Sequence, residues 1–220
     1  MVEKRTSDVG FVLDKQRHGA LVRLSQSLDF LPTIYEIKGD KLKMEFIPGE
    51  EGLTAGNARR AGNALRRLHS QLDYPFPIFT GTDWLFDLAG QALNTHQISP
   101  VVLPDLPVAM EDQVLIHGEP MQLITRPDGG VVFIDIEGMG MGSRYQDLGF
   151  ILYTAANKGD PALFEEVLAG YGAVKVDLMM VRRFAGVISI AYAVFWDGEA
   201  RIERGLKLLK NGNCFDNVTS

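Results

Sequence analysis

Apolar residues recur at helical spacing in several segments of the chain. In residues 11–27 they lie at spacings near three and four with charged residues between them, which is typical of an amphipathic helix. The same period predicts a helix that begins at Thr54 and another from Asp83 to Asn94. Beyond residue 142 the chain is helical in pattern, with helices predicted over 145–157, 161–171, 177–196 and 199–209.

Two short strands are predicted near the beginning of the chain. The segments Leu31–Ile37 and Leu42–Ile47 flank residues 38–41, whose Lys-Gly-Asp-Lys sequence is typical of a turn. They therefore predict an antiparallel hairpin, and Pro48 and Gly49 end it.

A second hairpin is predicted inside the later, mainly helical part. Met121–Thr125 and the β-branched segment Val131–Glu137 are joined by a Pro-Asp-Gly-Gly turn, and a short apolar run, Val114–Ile116, precedes them. The glycine-rich residues 138–142 that follow are predicted to form a tight connection.

This order of elements predicts an α+β fold with two unequal parts. Residues 1–48 would form a small lobe of one helix and a hairpin, and residues 49–220 a larger helical lobe that contains the second hairpin. With 46% hydrophobic residues in 220, the chain can bury a sizeable core, and Trp84 and Trp196 are both predicted to lie in it.

Charge and apolar run lengths exclude some partners. The net charge of −6 argues against nucleic acid, because phosphate backbones require a basic face. The longest apolar run, Phe184–Trp196, has 13 residues, fewer than the roughly 20 that span a bilayer, so a buried helix is predicted and no membrane partner. The N-terminus lacks the apolar core of a signal peptide, and Cys214 is the only cysteine, so we expect a cytoplasmic protein.

Two acidic clusters carry the candidate chemistry. Glu119 lies in the sequence His117-Gly118-Glu119, and Asp135 follows it by sixteen residues in the sequence Asp135-Ile136-Glu137. Because the second hairpin joins them, we expect the two clusters to lie side by side. Two nearby carboxylates suit phosphoryl transfer, in which one accepts the proton of the attacking hydroxyl and the other holds magnesium.

These motifs resemble those of the aminoglycoside phosphotransferase family, which includes choline and ethanolamine kinases. That family has a catalytic loop of the form H-G-D-x-x-x-x-N, followed by a strand that ends in D-W-E. Residues 44–49 look like its hinge between lobes, 65–70 like its L-x-x-L-H helix end, and 138–148 like the segment after D-W-E. The resemblance covers about residues 31–196 and implies a protein-kinase-like fold with a truncated N-terminal sheet lobe and a larger helical lobe.

The resemblance also implies roles in catalysis and metal binding. Glu119 would lie at the position of the catalytic base, and His117 in the same loop would brace it together with Asp147. Asp135 would be the main magnesium ligand, with Gln122 and Glu137 as further candidates. The site residues implied for this part are thus Glu119, His117, Asp135, Gln122 and Glu137.

For the nucleotide, the resemblance implies that the backbone of Glu45, Phe46 and Ile47 meets the adenine ring of ATP. Lys4 would match the strand lysine that pairs with the phosphates of ATP. A small-molecule acceptor completes the implied partners, and Asp197 and Glu199 are candidates to meet a cationic one.

Three features depart from the pattern of the family. Glu119 replaces the expected aspartate, which moves the basic oxygen by about one bond. The expected asparagine, five positions later, falls at Ile124, and a loop shorter by two residues would place Gln122 there. Only three residues precede Lys4, and the helix over residues 11–27 has no glutamate to pair with it as kinases require.

Three functions remain open at this stage. The first is an ATP-dependent enzyme that phosphorylates a hydroxyl group of a small molecule. The second is a catalytically inactive kinase-like protein that binds a nucleotide, a metabolite or a protein partner. The third is an unrelated α+β interaction domain, which a structure without two lobes around a cleft would establish.

Overall fold

A small antiparallel sheet forms the first part of the protein. The computed structural model describes residues 2–5, 15–38, 41–71, 81–100, 103–106, 112–172, 175–196 and 198–211. The strands β1 (Val2–Arg5), β2 (Ile34–Lys38) and β3 (Lys41–Met44) pair in the order β1-β3-β2, so β3 is central. The predicted hairpin is confirmed as β2 and β3, and residues 39 and 40 of its turn lie outside the described residues.

Two features of this sheet differ from the sequence prediction. β1 was not predicted, because four residues without clear alternation give no strand signal; it forms by pairing with β3. The predicted first helix is described as α1 (Lys15–Ser27), and its first four predicted residues lie outside the described part. Leu21 and Leu24 of α1 are fully buried, and the helix packs against β2 of the sheet.

The second hairpin lies beyond the predicted lobe boundary. Strands β6 (Leu123–Thr125) and β7 (Val131–Phe133) pair antiparallel, and the two-residue strand β4 (Glu50–Glu51) adds to β6. The hydrogen bond from Gly52 N to Leu123 O (2.8 Å) continues this pairing. The hairpin is thereby joined to the chain that leads out of the small sheet.

The strand predicted over Val131–Glu137 is wrong in its last four residues. β7 ends at Phe133, Asp135 has a left-handed backbone (φ 63°, ψ 42°), and Ile136–Gly138 forms a 3₁₀ turn. A left-handed residue cannot continue a strand, and alternation of apolar side chains does not report it. The turn directs the chain away from the hairpin immediately after Asp135.

The glycine-rich connection is also corrected, because part of it is a strand. β8 (Gly140–Ser143) pairs antiparallel with β5 (Gln113–Ile116) along four residues. A Cβ on Gly142 would come within 2.6 Å of Ile116 Cδ1, so the glycine leaves room for the Ile116 side chain.

Among the described residues, the larger part contains six helices: α2 (Ala58–His69), α3 (Gly81–Thr95), α4 (Arg144–Lys158), α5 (Pro161–Tyr171), α6 (Leu178–Ala191) and α7 (Gly198–Asn211). α2 packs on α5, and α6 packs on α3, α4 and α7. α5 matches its predicted bounds because Asp160 caps its first turn, accepting from Leu163 N, and Gly172 follows its end.

The prediction of a buried Trp196 is wrong. α6 ends at Ala191 and a 3₁₀ turn, Tyr192–Val194, follows it, so Trp196 lies 56% exposed beyond the helix. Its ring stacks on Tyr192 with centroids 5.6 Å apart. Trp84 is half-buried and packs against the core, as predicted. In the described part of the chain, the helices are too short or too polar to cross a bilayer.

Candidate active site

The loop between β5 and β6 carries the first acidic cluster. His117 is fully buried, and its ring lies 5.3 Å from that of Phe133, between centroids. Gly118 has φ 97°, a conformation that favours glycine. Glu119, half-buried, follows, and its N–H lies 3.3 Å from His117 Nδ1. The loop therefore turns sharply at Gly118 and holds the histidine inside and the glutamate at the edge.

A buried carboxylate holds this loop in place. Asp147, in the first turn of α4, accepts hydrogen bonds from the backbone N–H groups of His117 (2.8 Å) and Gly118 (2.9 Å) through its two oxygens. Its Oδ2 also lies 3.0 Å from His69 Nε2, at the end of α2. Buried polar groups must be paired, and here one carboxylate serves two backbone donors and an imidazole.

Tyr171 completes this row of buried polar groups. Its hydroxyl lies 2.7 Å from His69 Nδ1, so Tyr171, His69 and Asp147 form a continuous line from α5 to the loop. Burial raises the pKa of Tyr171 from 10.0 to about 12, partly opposed by Arg144. The protonated hydroxyl is therefore the form that the fold favours.

Removing the Tyr171 hydroxyl tests this row. The raised pKa means that its contribution to stability is complete below pH 10 and is lost as the pH rises through about 12. At pH 7 we expect Tyr171→Phe to lower the free energy of unfolding by about 1 kcal/mol, because a buried hydrogen bond is lost. The difference in the free energy of unfolding between wild type and Tyr171→Phe should become smaller as the pH rises above 10.

Urea denaturation at pH 7 and at intervals between pH 10 and 11.5 measures this effect. Tyr35→Phe is the matched control, since Tyr35 is 59% exposed, and it should change the unfolding free energy little at neutral pH. A gap for Tyr171→Phe that stays constant or widens above pH 10 would contradict the assignment.

Glu119 contacts the helical part through Tyr192. The Tyr192 hydroxyl donates to Glu119 Oε1. Tyr192 is buried, and burial together with the charge of Glu119 raises the pKa of its hydroxyl far above the ordinary value. The residue at the predicted base position is thus held by a donor from the far end of α6.

The second acidic cluster lies against the first. Ile134 N donates to Gln122 O (2.9 Å), so Gln122 lies beside the residue that precedes Asp135. A Cβ on Gly118 would lie 3.1 Å from Gly138 O, which shows how closely the two loops pack. The structure therefore brings Gln122 and the Asp135 segment next to the loop of Glu119.

The donor set here fits magnesium in kind. Asp135, half-buried, offers a carboxylate and Gln122 an amide oxygen, and hard oxygen ligands are those that magnesium prefers. Among the described residues, no group of three or more His, Cys, Asp or Glu side chains could hold a metal. Magnesium commonly binds through one or two carboxylates and the phosphates of a substrate, so a sparse protein set agrees with it. Glu137 lies in the 3₁₀ turn, and its side chain is outside the described part.

Ile124, where the motif of the family would have an asparagine, lies in a strand. It pairs with Glu51 on one side and Val132 on the other. Gln122 precedes β6, and its carbonyl oxygen continues the pairing of β6 and β7 by accepting from Ile134 N. Gln122 is therefore the better candidate than position 124 for an amide oxygen that binds the metal.

The predicted adenine-binding segment follows β3. Glu45 N donates to Thr33 O (2.8 Å), and the Glu45 carboxylate accepts from Thr33 and, at 3.2 Å, from Arg126 of the β6–β7 turn. Phe46 is 61% exposed and Ile47 is buried. The segment is thus anchored at both sides of Glu45. Lys4 lies in β1 opposite Leu42, and its side chain is outside the described part.

A cavity of 290 Å³ lies between α2 and the β6–β7 turn, apart from these loops. Its lining includes Arg67, paired with Asp29 (2.8 Å), and Arg126, paired with Glu45 (3.2 Å). The lining also includes Arg60, which donates to Gly56 O, and Asp128, so the cavity wall carries charges of both signs. Within the described chain, its lining contains none of the residues predicted for catalysis.

Sequence reasoning missed Tyr192 and Tyr171. Tyr192 lies inside the apolar run that predicted a buried helix, and Tyr171 ends α5. A signal was present in both, because a buried tyrosine hydroxyl must find a polar partner. The partners themselves, Glu119 and His69, lie 73 and 102 positions away and could not be read from spacing.

The small sheet and the larger helical part, which contains the loop of Glu119, define a protein of the kinase-like fold. The sequence model of the Phosphotransferase enzyme family (APH) matches residues 35–183. The chain therefore belongs to this family. Among curated proteins, no sequence matches it significantly.

Solved structures of kinases share the fold at low sequence identity. Choline kinase LicA from Streptococcus pneumoniae is 16% identical with a TM-score of 0.66, covering 94% of this chain and 85% of its own. A choline/ethanolamine kinase family protein from Mesorhizobium loti is 16% identical with a TM-score of 0.63, and the match covers 87% of this chain and 78% of that protein. Aminoglycoside phosphotransferase APH(3'')-Id from Streptomyces rimosus, in complex with ADP and streptomycin, is 19% identical with a TM-score of 0.56, covering 84% and 85%.

Proposed function

We propose that the protein is an ATP-dependent phosphotransferase that acts on a hydroxyl group of a small molecule. The observation that carries this proposal is the placement of Glu119 on a loop braced by buried Asp147, directly against the loop that holds Asp135. The neighbour from Streptomyces rimosus binds ADP and streptomycin, which supports a nucleotide and a small acceptor here. The predicted division into lobes at residue 48 would place the nucleotide between them.

In this mechanism Glu119 accepts the proton of the acceptor hydroxyl as its oxygen forms a bond to the γ-phosphorus of ATP. The bond from that phosphorus to the bridging oxygen breaks, and ADP leaves with the electron pair. Asp135 and Gln122 would hold magnesium, which neutralises charge on the phosphates when bound. The backbone of Glu45–Ile47 would position the adenine, and Lys4 the phosphates.

A non-catalytic role in ligand binding is the second candidate. The observation that favours it is the strand position of Ile124, which removes the usual asparagine from the catalytic loop. Measurable turnover separates the two functions. A protein that binds Mg-ATP without consuming it, with any hydroxyl acceptor offered, would have the second function.

Substitution of Asp135 tests the nucleotide site directly. We expect Asp135→Asn to weaken the binding of Mg-ATP by about 100-fold, because a charged ligand of the metal is lost while the shape is kept. ATP without magnesium should bind both proteins equally. Isothermal titration calorimetry with and without magnesium measures both constants.

The control for this test is Glu165→Gln, which removes one exposed charge from α5 and should leave binding unchanged. Absence of heat at millimolar ATP in the wild type would overturn the proposal. Equal binding of Mg-ATP by wild type and Asp135→Asn would show that Asp135 is not the metal ligand.

A further inference from the structure

The contact between Tyr192 and Glu119 joins two distant parts of the fold at the candidate base. Tyr192 is the residue that follows α6 and opens the 3₁₀ turn, and Glu119 lies in the loop after β5. The hydroxyl of the tyrosine donates to Oε1 of the carboxylate. The brace by Asp147 acts on the backbone of the loop, whereas this contact acts on the reacting group itself.

The position of the Tyr192 hydroxyl is fixed by packing. Its ring contacts Phe150 edge to face at 5.7 Å between centroids, Tyr153 at 5.9 Å and Trp196 in a stack at 5.6 Å. The residue is only 7% exposed. A ring held on several sides loses its rotational freedom, so the hydroxyl is presented at one point in space.

The direction of this hydrogen bond is set by the chemistry of both groups. Burial raises the pKa of the Tyr192 hydroxyl, so it keeps its proton and acts as a donor. An ionised carboxylate only accepts hydrogen bonds, and its two oxygens have about four acceptor sites. The bond from Tyr192 therefore orients the Glu119 carboxylate.

The contact matters because position 119 has a glutamate where the family has an aspartate. Glutamate places its carboxylate about 1.5 Å further from the backbone than aspartate. We infer that Tyr192 is a positioning residue for the base, and that Glu119 and Tyr192 act as a pair in which the hydroxyl holds the longer side chain in its working orientation. This inference rests on the proposed function for its catalytic meaning.

We therefore expect that introducing the aspartate of the family at position 119 does not raise the turnover of this protein. The shorter carboxylate of a Glu119→Asp variant would fall short of the Tyr192 hydroxyl. It would leave that buried donor without its partner. Both Glu119→Asp and Tyr192→Phe remove the same contact, so their effects on turnover should overlap.

A double-mutant cycle on turnover tests the pair. Magnesium-dependent hydrolysis of ATP, with water as acceptor, is measured for wild type, Tyr192→Phe, Glu119→Asp and the double variant. We expect Tyr192→Phe to lower kcat about 10-fold with KM for ATP unchanged, because a hydrogen bond to a charged group is lost away from the nucleotide. The fold-loss of kcat in the double variant should be much smaller than the product of the fold-losses in the two single variants.

Tyr153→Phe is the matched control, because it removes a hydroxyl from a buried tyrosine of the same aromatic cluster. It should keep the kcat of the wild type. Wild-type kcat in Tyr192→Phe, or effects that multiply in the double variant, would overturn the inference.

A spectroscopic readout separates failure of this inference from failure of the proposed function. If the wild type consumes no ATP either with water or with any hydroxyl acceptor offered, the proposed function fails, and the pair is tested by carbon-13 NMR of the Glu119 carboxyl group. That resonance is assigned by its loss in Glu119→Gln. We expect it to shift in Tyr192→Phe and to stay in place in Tyr153→Phe, and a resonance that Tyr192→Phe leaves in place would overturn the inference.

Discussion

Replacing Asp147 with asparagine is expected to lower the free energy of unfolding by about 3 kcal/mol, although the side chain keeps its shape. The carboxylate is fully buried and accepts one backbone N–H on each oxygen, from His117 and from Gly118. An amide has one oxygen and one NH₂ group. Either orientation of the substituted amide therefore turns a donor toward a backbone donor.

The same change should disturb the loop of Glu119, because the two N–H groups that lose their acceptor define its turn. Urea denaturation measures the stability effect as a lower midpoint with an unchanged slope. Asp128→Asn is the matched control. Asp128 is exposed and its Oδ1 accepts from Gly130 N, a bond that an asparagine also makes.

We expect Asp128→Asn to shift stability by less than about 0.5 kcal/mol. If Asp147→Asn behaved the same way, the buried carboxylate would not be the anchor of the loop. If Asp147→Asn lowers both the turnover of ATP and the free energy of unfolding, the result would agree with the placement of Glu119 on that loop.

A single methyl group at Gly170 is expected to have an effect of similar size. A Cβ there would lie 1.9 Å from Arg59 O, and one on Gly62 would lie 2.0 Å from Val167 O. The obstacles are backbone atoms of the facing helix, so α2 and α5 must move apart. We expect Gly170→Ala to lower the free energy of unfolding by about 3 kcal/mol, at the upper end of overpacking effects.

Gly90→Ala is the control, because Gly90 lies within α3 and has nothing within 4 Å of the added carbon. There alanine should stabilise by about 0.5–1 kcal/mol through its helix propensity. Parallel urea titrations compare the two variants. Similar changes of stability in both would show that α2 and α5 do not pack as closely as the structure has them.

The helices could be predicted because burial on one face imposes a period that the sequence displays. Residues 161–171 were predicted to the residue, since Pro161 and Gly172 mark both ends chemically. The strands were predicted less well. Pairing with a neighbour creates β1 and β8, and neither strand has a pattern of its own.

The candidate site could be predicted only where its residues follow one another in sequence. The loops around Glu119 and Asp135 were found from short motifs and lie together as the hairpin implied. The left-handed backbone of Asp135 was not predicted, because an aspartate in an apolar segment gives no sign of it. The role of Tyr192 could not be predicted for a different reason, because its hydrogen bond to Glu119 depends on how α6 packs in the folded protein.

The row of Tyr171, His69 and Asp147 means that the catalytic-type loop is ordered by the helical core before any ligand arrives. Its turn is held by groups that a nucleotide would not touch. Such a loop loses little conformational entropy on binding, so more of the interaction energy appears as affinity. The same arrangement makes the geometry of the Glu119 loop depend on the core, so a substitution deep between α2 and α5 can disturb that loop without altering any residue in it.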